Sequence, residues 1–75
     1  MKTFTWDKVE GADEYRIYRK KRVGGEWRLV AKTRRTRWIW EKPTPGDWMF
    51  KVTASNRAGE GGPSREIRVK IKARG

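Results

Sequence analysis

The sequence contains no cysteine and no histidine. Without cysteine, the chain has no disulfide bond and no thiolate metal site, and nothing in it indicates an oxidising compartment. Without histidine, it lacks the commonest general base and the commonest metal ligand of proteins. No Gly-rich phosphate loop is present to take their place. The sequence therefore predicts a binding protein rather than an enzyme, with no catalytic residue and no cofactor.

Long apolar runs are also absent from the sequence. No window approaches the roughly 18 apolar residues that a membrane-spanning helix requires. Residues 1–6 lack the apolar stretch of a signal peptide. A cytoplasmic protein is therefore expected.

Acidic residues are few, and they do not form a recognisable metal site. Asp7, Glu10, Asp13 and Glu14 cluster in one turn. A calcium site would need several converging oxygen atoms at fixed spacing, as in an EF-hand loop, and that spacing is not found here. A solvated turn is the expected explanation of the cluster, with a weak cation site as the alternative.

Positive charge is what the sequence has in excess. Twenty Lys and Arg oppose nine Asp and Glu, which gives a formal net charge of +11 and a pI near 10.8. Such an excess in a small domain favours a polyanionic partner, either nucleic acid or an anionic membrane surface. A merely solubilising surface is the alternative, although solubility needs much less charge. One Asn and no Gln beside many Lys and Arg also predict a thermostable protein.

The length allows one domain, residues 1–75, and the residue pattern is that of strands. Alternating apolar and polar residues, separated by turn signals at short spacing, are typical of a β-sandwich or barrel. Gly24-Gly25 predicts a hairpin, and residues 58–63 predict a flexible loop. Strands are predicted within residues 3–6, 14–20, 26–33, 36–41, 48–55 and 66–73.

Aromatic residues supply the bulk that a small core requires. The face of Trp27 stays open, because Leu29 and Val30 are adjacent in its strand. Tyr18 alternates outward between two cations and is the better candidate for stacking on a nucleic-acid base, with cross-strand packing as the alternative. Alternation places the other four tryptophans on inward faces: Trp6, Trp38, Trp40 and Trp48.

Several segments, taken in order, resemble bacterial fibronectin type III domains. They are WDKVEGA (6–12), YRIYR (15–19), WRLVA (27–31), PGDWMFKVTASN (45–56), AGEG (58–61) and PS (63–64), and the resemblance covers roughly residues 4–72. It implies an all-β, immunoglobulin-like β-sandwich of about six strands. It also implies that the predicted strands at 3–6 and 36–41 form one sheet and the remaining strands the other. The same resemblance puts Glu60 in a loop near the acidic turn.

The chain departs from the family in three places. The family's opening strand is absent before the strand that holds Phe4 and Trp6. Trp48 stands where the family usually has the tyrosine of its tyrosine corner, and its indole can still donate one hydrogen bond. Trp38 and Trp40 take positions that are often smaller or aliphatic in the family.

The absent opening strand predicts an open sheet edge. In the family, that strand pairs with the one that holds Phe4 and Trp6, so this edge is expected to present unpaired backbone N–H and C=O groups. We expect two chains to cover it, by pairing these edges or by exchanging a terminal strand, which gives a homodimer. The alternative is that the long last strand, or a reordered start, folds over the gap within one chain.

The family's strand order also predicts a cationic sheet face. Rows of like charge across neighbouring strands destabilise a sheet by about 0.2–1 kcal/mol per opposed pair, so a chain that tolerates them is expected to use them. Two basic clusters extend the surface, residues 19–22 and a second that runs from Lys32 to Arg37. The eight outward residues of the face, six of them cationic, are Arg16, Tyr18, Lys20, Lys51, Thr53, Arg68, Lys70 and Lys72.

We expect this surface to bind nucleic acid, DNA or RNA, without sequence specificity and through phosphate contacts. Lysines that merely protect sheet edges from aggregation are the alternative explanation of the charge. The alternative function is a protein–protein interaction or assembly module, in which the acidic pole and the basic face pair head to tail or dock on an acidic partner. The candidate binding residues are Arg16, Tyr18, Lys20, Lys21, Arg22, Arg34, Arg35, Arg37, Lys51, Arg68, Lys70 and Lys72.

Overall fold

The computed structural model describes residues 1–63 and 66–73, and the regular structure within these ranges is entirely β. The seven strands are β1 (Lys2–Thr5), β2 (Glu14–Lys21), β3 (Arg28–Thr33), β4 (Arg37–Trp40), β5 (Gly46–Asn56), β6 (Gly59–Pro63) and β7 (Ile67–Ile71). In the described part of the chain, no helix is long and apolar enough to cross a membrane. The all-β prediction is confirmed.

The strands form two antiparallel sheets. β1 and β4 form the smaller one, and the larger one has the order β3–β2–β5 with two further strands, β6 and β7, on the far edge of β5. β7 pairs with the first half of β5, from Gly46 to Phe50, and β6 pairs with the second half, from Thr53 to Asn56. The chain is therefore a β-sandwich, and its strands divide between the sheets as the resemblance implied.

Residues 58–63 do not form the predicted flexible loop, because Gly59–Pro63 is strand β6. The segment consists of three glycines, a glutamate and a proline, so its sequence has no alternation of apolar and polar residues. Only its backbone pairing with β5 identifies it as a strand. The turn into β6 is held by Asn56, whose Oδ1 accepts a hydrogen bond from the N–H of Ala58 at 2.8 Å. Gly59 follows with a φ of +128°, which side chains with a Cβ rarely permit.

The core lies between the two sheets and consists mainly of aromatic rings. The inward placement predicted for four tryptophans is confirmed, because Trp40 and Trp48 are buried and Trp6 and Trp38 pack against the core from its margin. The buried apolar residues are Phe4, Tyr15, Ile17, Trp40, Trp48, Phe50, Val52 and Val69.

Trp48 forms the hydrogen bond that its position in the resemblance requires. Its indole Nε1–H donates to the backbone oxygen of Thr44 at 2.9 Å. A Cβ on Gly46 would lie only 3.0 Å from the same nitrogen, so the indole can reach this position because residue 46 has no side chain. Tryptophan thus anchors the start of β5 by a side-chain bond to the preceding turn.

Strand β1 has a backbone partner on one side only. Within residues 1–63 and 66–73, it pairs with β4 and with no other strand. The last strand, β7, pairs with β5 and does not fold over the gap beside β1. The open edge that the sequence predicts is thus present in the single chain, and the homodimer expected to cover it stays a prediction.

Candidate nucleic-acid interface

The candidate interface is the outer face of the larger sheet, where β2, β5 and β7 lie side by side. The predicted rows of like charge are absent between these three strands, because their pairing register places neutral or acidic residues opposite the cations. The register is set when strands pair, so it cannot be read from the sequence of one strand alone. Between these three strands, each cation opposes a neutral or acidic residue: Arg16–Thr53, Lys51–Tyr18, Lys20–Met49, Arg68–Met49 and Lys70–Asp47. On its other side, β2 does carry a like-charge pair, because Arg16 opposes Lys32 of β3.

Two of the eight predicted outward residues contribute differently from the rest. Thr53 is only 4% exposed, because the side chain of Glu60 covers it. Lys72 is exposed but lies beyond the end of β7, so it is not part of the strand ladder. The remaining six residues do lie together on the sheet face.

An aromatic patch, formed by Tyr18, Lys20, Trp27 and Lys51, occupies the middle of this face. The ammonium of Lys51 lies 4.5 Å from the ring centroid of Trp27 and 5.3 Å from that of Tyr18. The ammonium of Lys20 lies 5.3 Å from the Trp27 centroid. All four side chains are half-buried. Cations and aromatic rings are therefore interleaved at the surface, as in sites that bind nucleic-acid strands.

Glu60 reaches from β6 onto the sheet face and accepts hydrogen bonds from three side chains. Arg16 donates through Nη1 to Oε1 at 3.1 Å, and Tyr18 donates through its hydroxyl to Oε2 at 2.8 Å. Thr53 donates through Oγ1 to the same Oε2. Placing Glu60 in a loop, as the resemblance implied, is therefore wrong. Three donors converge on one carboxylate, which pairs with the charge of Arg16 through Nη1, whereas the buried Nε of Arg16 has no hydrogen-bond partner in the described part of the chain.

The hydrogen bonds around Glu60 lower its own pKa and raise the pKa of Tyr18. The hydroxyl groups of Thr53 and Tyr18 favour the ionised carboxylate and hold the pKa of Glu60 below its usual range, with a further contribution from the charge of Arg16. The bond to the carboxylate raises the pKa of Tyr18, because the phenol must keep its proton to donate it. Near neutral pH, Glu60 is therefore an ionised carboxylate that accepts hydrogen bonds from two neutral hydroxyl groups and one cationic guanidinium.

Asp47 pairs with two more of the predicted cations. Arg68 forms a two-pronged contact with it, through Nε to Oδ1 at 3.1 Å and through Nη2 to Oδ2 at 3.0 Å. The Nη1 of Arg22 lies 3.9 Å from Oδ2. The hydrogen bonds from Arg68 lower the pKa of Asp47, so this carboxylate is ionised and offsets part of the charge at the β7 edge.

The arginines and the lysines of the face therefore differ in their partners. Arg16, Arg22 and Arg68 each pair with a carboxylate. Among the residues that the structure describes, no ion pair involves Lys20, Lys21, Lys51, Lys70 or Lys72. The charge of this face that forms no described ion pair is thus carried by lysines, although Lys70 lies opposite Asp47 and its charge helps to lower the pKa of that carboxylate.

Four basic residues that were predicted to extend the surface lie elsewhere. Arg34 and Arg35 are exposed in the turn between β3 and β4, at the end of the sandwich far from the β2–β3 hairpin. Arg37 is in β4, opposite Thr5, and so belongs to the smaller sheet. Arg19 lies over the core rings, with its guanidinium carbon 4.7 Å from the Trp48 centroid and 5.3 Å from that of Trp40. By contrast, Lys21 and Arg22 lie at the hairpin beside the face.

Sequence reasoning left Trp27 undecided and missed the roles of Glu60 and Asp47. The pairing of β2 with β3 contains a bulge, since Ile17 opposes Ala31 and Tyr18 opposes Leu29, which leaves Val30 as the extra residue. The adjacent Leu29 and Val30 were the only signal of this bulge. No local signal marks the two acids, because strand pairing brings each of them to its partners.

Replacing Glu60 by Gln is expected to remove a pH-dependent part of the stability. Because the folded-state pKa of Glu60 is lowered from its ordinary value of 4.5, its contribution is complete above that value and is lost as the pH falls through the lowered pKa. The side chain is 30% exposed, so this contribution is expected to be about 1 kcal/mol or less. Urea unfolding of wild type and Glu60→Gln at pH 6 and pH 3 measures it as a stability difference that shrinks at low pH.

Glu41→Gln is the matched control, because Glu41 is exposed and takes part in no described ion pair. Its stability relative to wild type is expected to change little between the two pH values. An equal pH dependence for both variants would show that the contacts of Glu60 do not stabilise the fold.

Comparisons with known proteins support the fold. No family profile matches the chain, and no curated protein matches it. Among solved structures, the chain is similar to the twitchin kinase region from C. elegans, with 28% sequence identity over 85% of this chain and a TM-score of 0.72. The chain spans 12% of that longer chain, and the match lies in its fibronectin and immunoglobulin part rather than in the kinase. The fold is thus a fibronectin type III or immunoglobulin-like β-sandwich.

Proposed function

We propose that this chain is a basic binding module that associates with nucleic acid, DNA or RNA, without sequence specificity, through the outer face of its larger sheet. We also propose that it belongs to the bacterial fibronectin type III group whose segments it resembles, and that it works in the cytoplasm, where nucleic acid is accessible. The observation that carries the proposal is the set of unpaired lysines around the aromatic patch. We propose no catalytic activity for it.

The charge distribution supports phosphate contacts over contacts to base edges. Arg16 and Arg68 are the side chains best suited to two-pronged recognition of a guanine edge, but both are already bound to carboxylates. Lys20, Lys51 and Lys70 offer single ammonium groups, which bind phosphates as point charges and carry no base preference. The face is therefore suited to following a backbone, and affinity is expected to fall steeply with salt.

Titration of oligonucleotides at two salt concentrations tests this function. A fluorescently labelled 20-nucleotide strand and its duplex are titrated with the protein at 50 and 200 mM NaCl and followed by anisotropy. We expect binding at 50 mM and a loss of about threefold in affinity between the two salts for each phosphate contact. No binding of either form at 50 mM would overturn the proposal.

A second candidate is a homotypic assembly module, and the open edge of β1 favours it. Beside this edge lies a groove of about 670 Å³, whose lining includes Phe4, Trp6, Ile17, Val52 and Ile67. The indole Nε1 of Trp6 is buried and has no hydrogen-bond partner in the described part of the chain. A strand added beside β1 would pair its backbone and cover the apolar groove. A strand from a second copy gives the homodimer predicted from the sequence.

Light scattering over a dilution series from 200 to 2 µM tests the dimer. A particle of twice the 8.9 kDa chain mass is expected at the upper end, with dissociation on dilution. A folded monomer at every concentration would exclude pairing through this edge, and it would leave the nucleic-acid proposal unaffected.

A further inference from the structure

Trp27 is the one tryptophan of five that lies outside the core. Trp40 and Trp48 are buried, and Trp6 and Trp38 pack against the buried cluster. Trp27 precedes β3 and lies on the outer face, where the ammonium groups of Lys20 and Lys51 lie over its ring. Trp27 does not fill the core, so we expect its role to lie in binding at the surface.

The two lysines hold the ring weakly. A cation over a ring at a solvent-accessible site contributes about 2- to 5-fold to an equilibrium constant, whereas a nucleic-acid base stacked on a protein aromatic ring contributes about 5- to 150-fold. A base can therefore displace an ammonium from the Trp27 ring, and the displaced ammonium remains within reach of the phosphates beside that base. The exchange replaces a weak contact by a stronger one and adds a charge contact.

We propose that the aromatic patch binds single-stranded nucleic acid in preference to duplex, with one base stacked on Trp27 and with Lys20 and Lys51 on the flanking phosphates. This inference rests on the nucleic-acid binding proposed above and names the form of nucleic acid that the face prefers. The faces of bases in a duplex are covered by their neighbours, so only an unpaired base can stack on the ring.

The surroundings of the patch favour stacking without base selection. The hydroxyl of Tyr18 is bound to Glu60 at 2.8 Å, which fixes the phenol ring beside Lys51 and sets one wall of the patch. The cations that lie over the rings of Tyr18 and Trp27 are ammonium groups, and stacking uses the ring face that every base has. The preference is therefore expected for single strands of any sequence.

The test compares Trp27→Ala with wild type on a single-stranded 20-mer and on its duplex at 100 mM NaCl. We expect the variant to lose about 5- to 150-fold in affinity for the single strand and less than about 2-fold for the duplex. Its dependence on salt is expected to match that of wild type, because the phosphate contacts remain. Trp27→Tyr retains a stacking ring and is expected to recover most of the lost affinity, and it serves as the readout where the Ala variant fails to fold.

Each of the following results would overturn the inference. Equal losses for single strand and duplex would show that Trp27 only supports the lysines, and unchanged single-strand affinity would show that no base stacks on it. Wild-type protein that binds both forms equally, with Trp27→Ala silent, would remove this inference and leave the proposed function standing. Wild-type protein that binds neither form at low salt would remove both.

Discussion

Phe50→Ala is expected to lose about 3–5 kcal/mol of its free energy of unfolding, the usual range for removal of a buried aromatic ring. Phe50 is 2% exposed and projects from β5 of the larger sheet. Its ring centroid lies 4.6 Å from that of Phe4 and 5.2 Å from that of Trp40, which belong to the two strands of the smaller sheet. The variant therefore removes a ring that both sheets share.

A loss of this size is large for so small a domain. At about 0.05–0.15 kcal/mol per residue, a chain of this length has a total stability of about 4–11 kcal/mol. No disulfide limits the unfolded chain. We therefore expect Phe50→Ala to range from strongly destabilised to fully unfolded at 25 °C.

Urea unfolding, followed by tryptophan fluorescence, measures the effect. Met49→Ala is the matched control, since Met49 is the preceding residue of β5 and its half-buried side chain lies on the other face of the sheet. The control is expected to lose about 1 kcal/mol or less, as substitutions outside the core do. A Phe50→Ala variant within 1 kcal/mol of wild type would show that the core is not centred on this ring.

Removing the three unpaired lysines of the sheet face is expected to have the largest effect on nucleic-acid binding. The variant combines Lys20→Ala, Lys51→Ala and Lys70→Ala. Each phosphate contact contributes about 0.7–0.9 to the slope of log affinity against log salt, so three contacts contribute about 2–3. At 0.1 M salt, the same release of counterions corresponds to a loss of about 100- to 500-fold in affinity.

The control variant carries Lys2→Ala, Lys8→Ala and Lys42→Ala, which remove the same charge from exposed positions away from the face. Lys2 is in β1, Lys8 is in the turn before β2, and Lys42 follows β4. At 0.1 M salt, charges beyond about 10 Å are largely screened, so this variant is expected to keep nearly the wild-type slope. Equal losses in the two variants would mean that overall charge, and not this face, determines binding.

The sequence predicted those strands in which inward-facing and outward-facing residues alternate along the strand itself. From Trp48 to Val52, burial alternates along β5, with Phe50 and Val52 buried and Met49 and Lys51 half-buried on the other face. The pairs Phe4 with Trp6 and Trp38 with Trp40 likewise show which side of each strand faces the core. Alternation is a local property, so it can be read from the chain before any pairing is known.

The parts that sequence did not predict depend on how strands meet. β6 is a strand because β5 offers it backbone partners, and its glycines carry no alternation to reveal this. The register between β5 and β7 places Lys70 opposite Asp47. The cationic face was thus predicted as a set of residues, whereas its division into paired arginines and unpaired lysines required the structure. Thermostability and the homodimer stay predictions.

The pairing of β2 with β5 also bears on how fast the chain can fold. This central ladder joins Glu14 to Ser55 and Lys21 to Trp48, so the chain between the two strands must close before the first contact forms. β3 and β4 lie within that loop, while β6 and β7 need β5 as a template. Topologies dominated by such distant pairings fold in milliseconds to seconds. The loop is also rich in Lys and Arg, whose mutual repulsion opposes its closure.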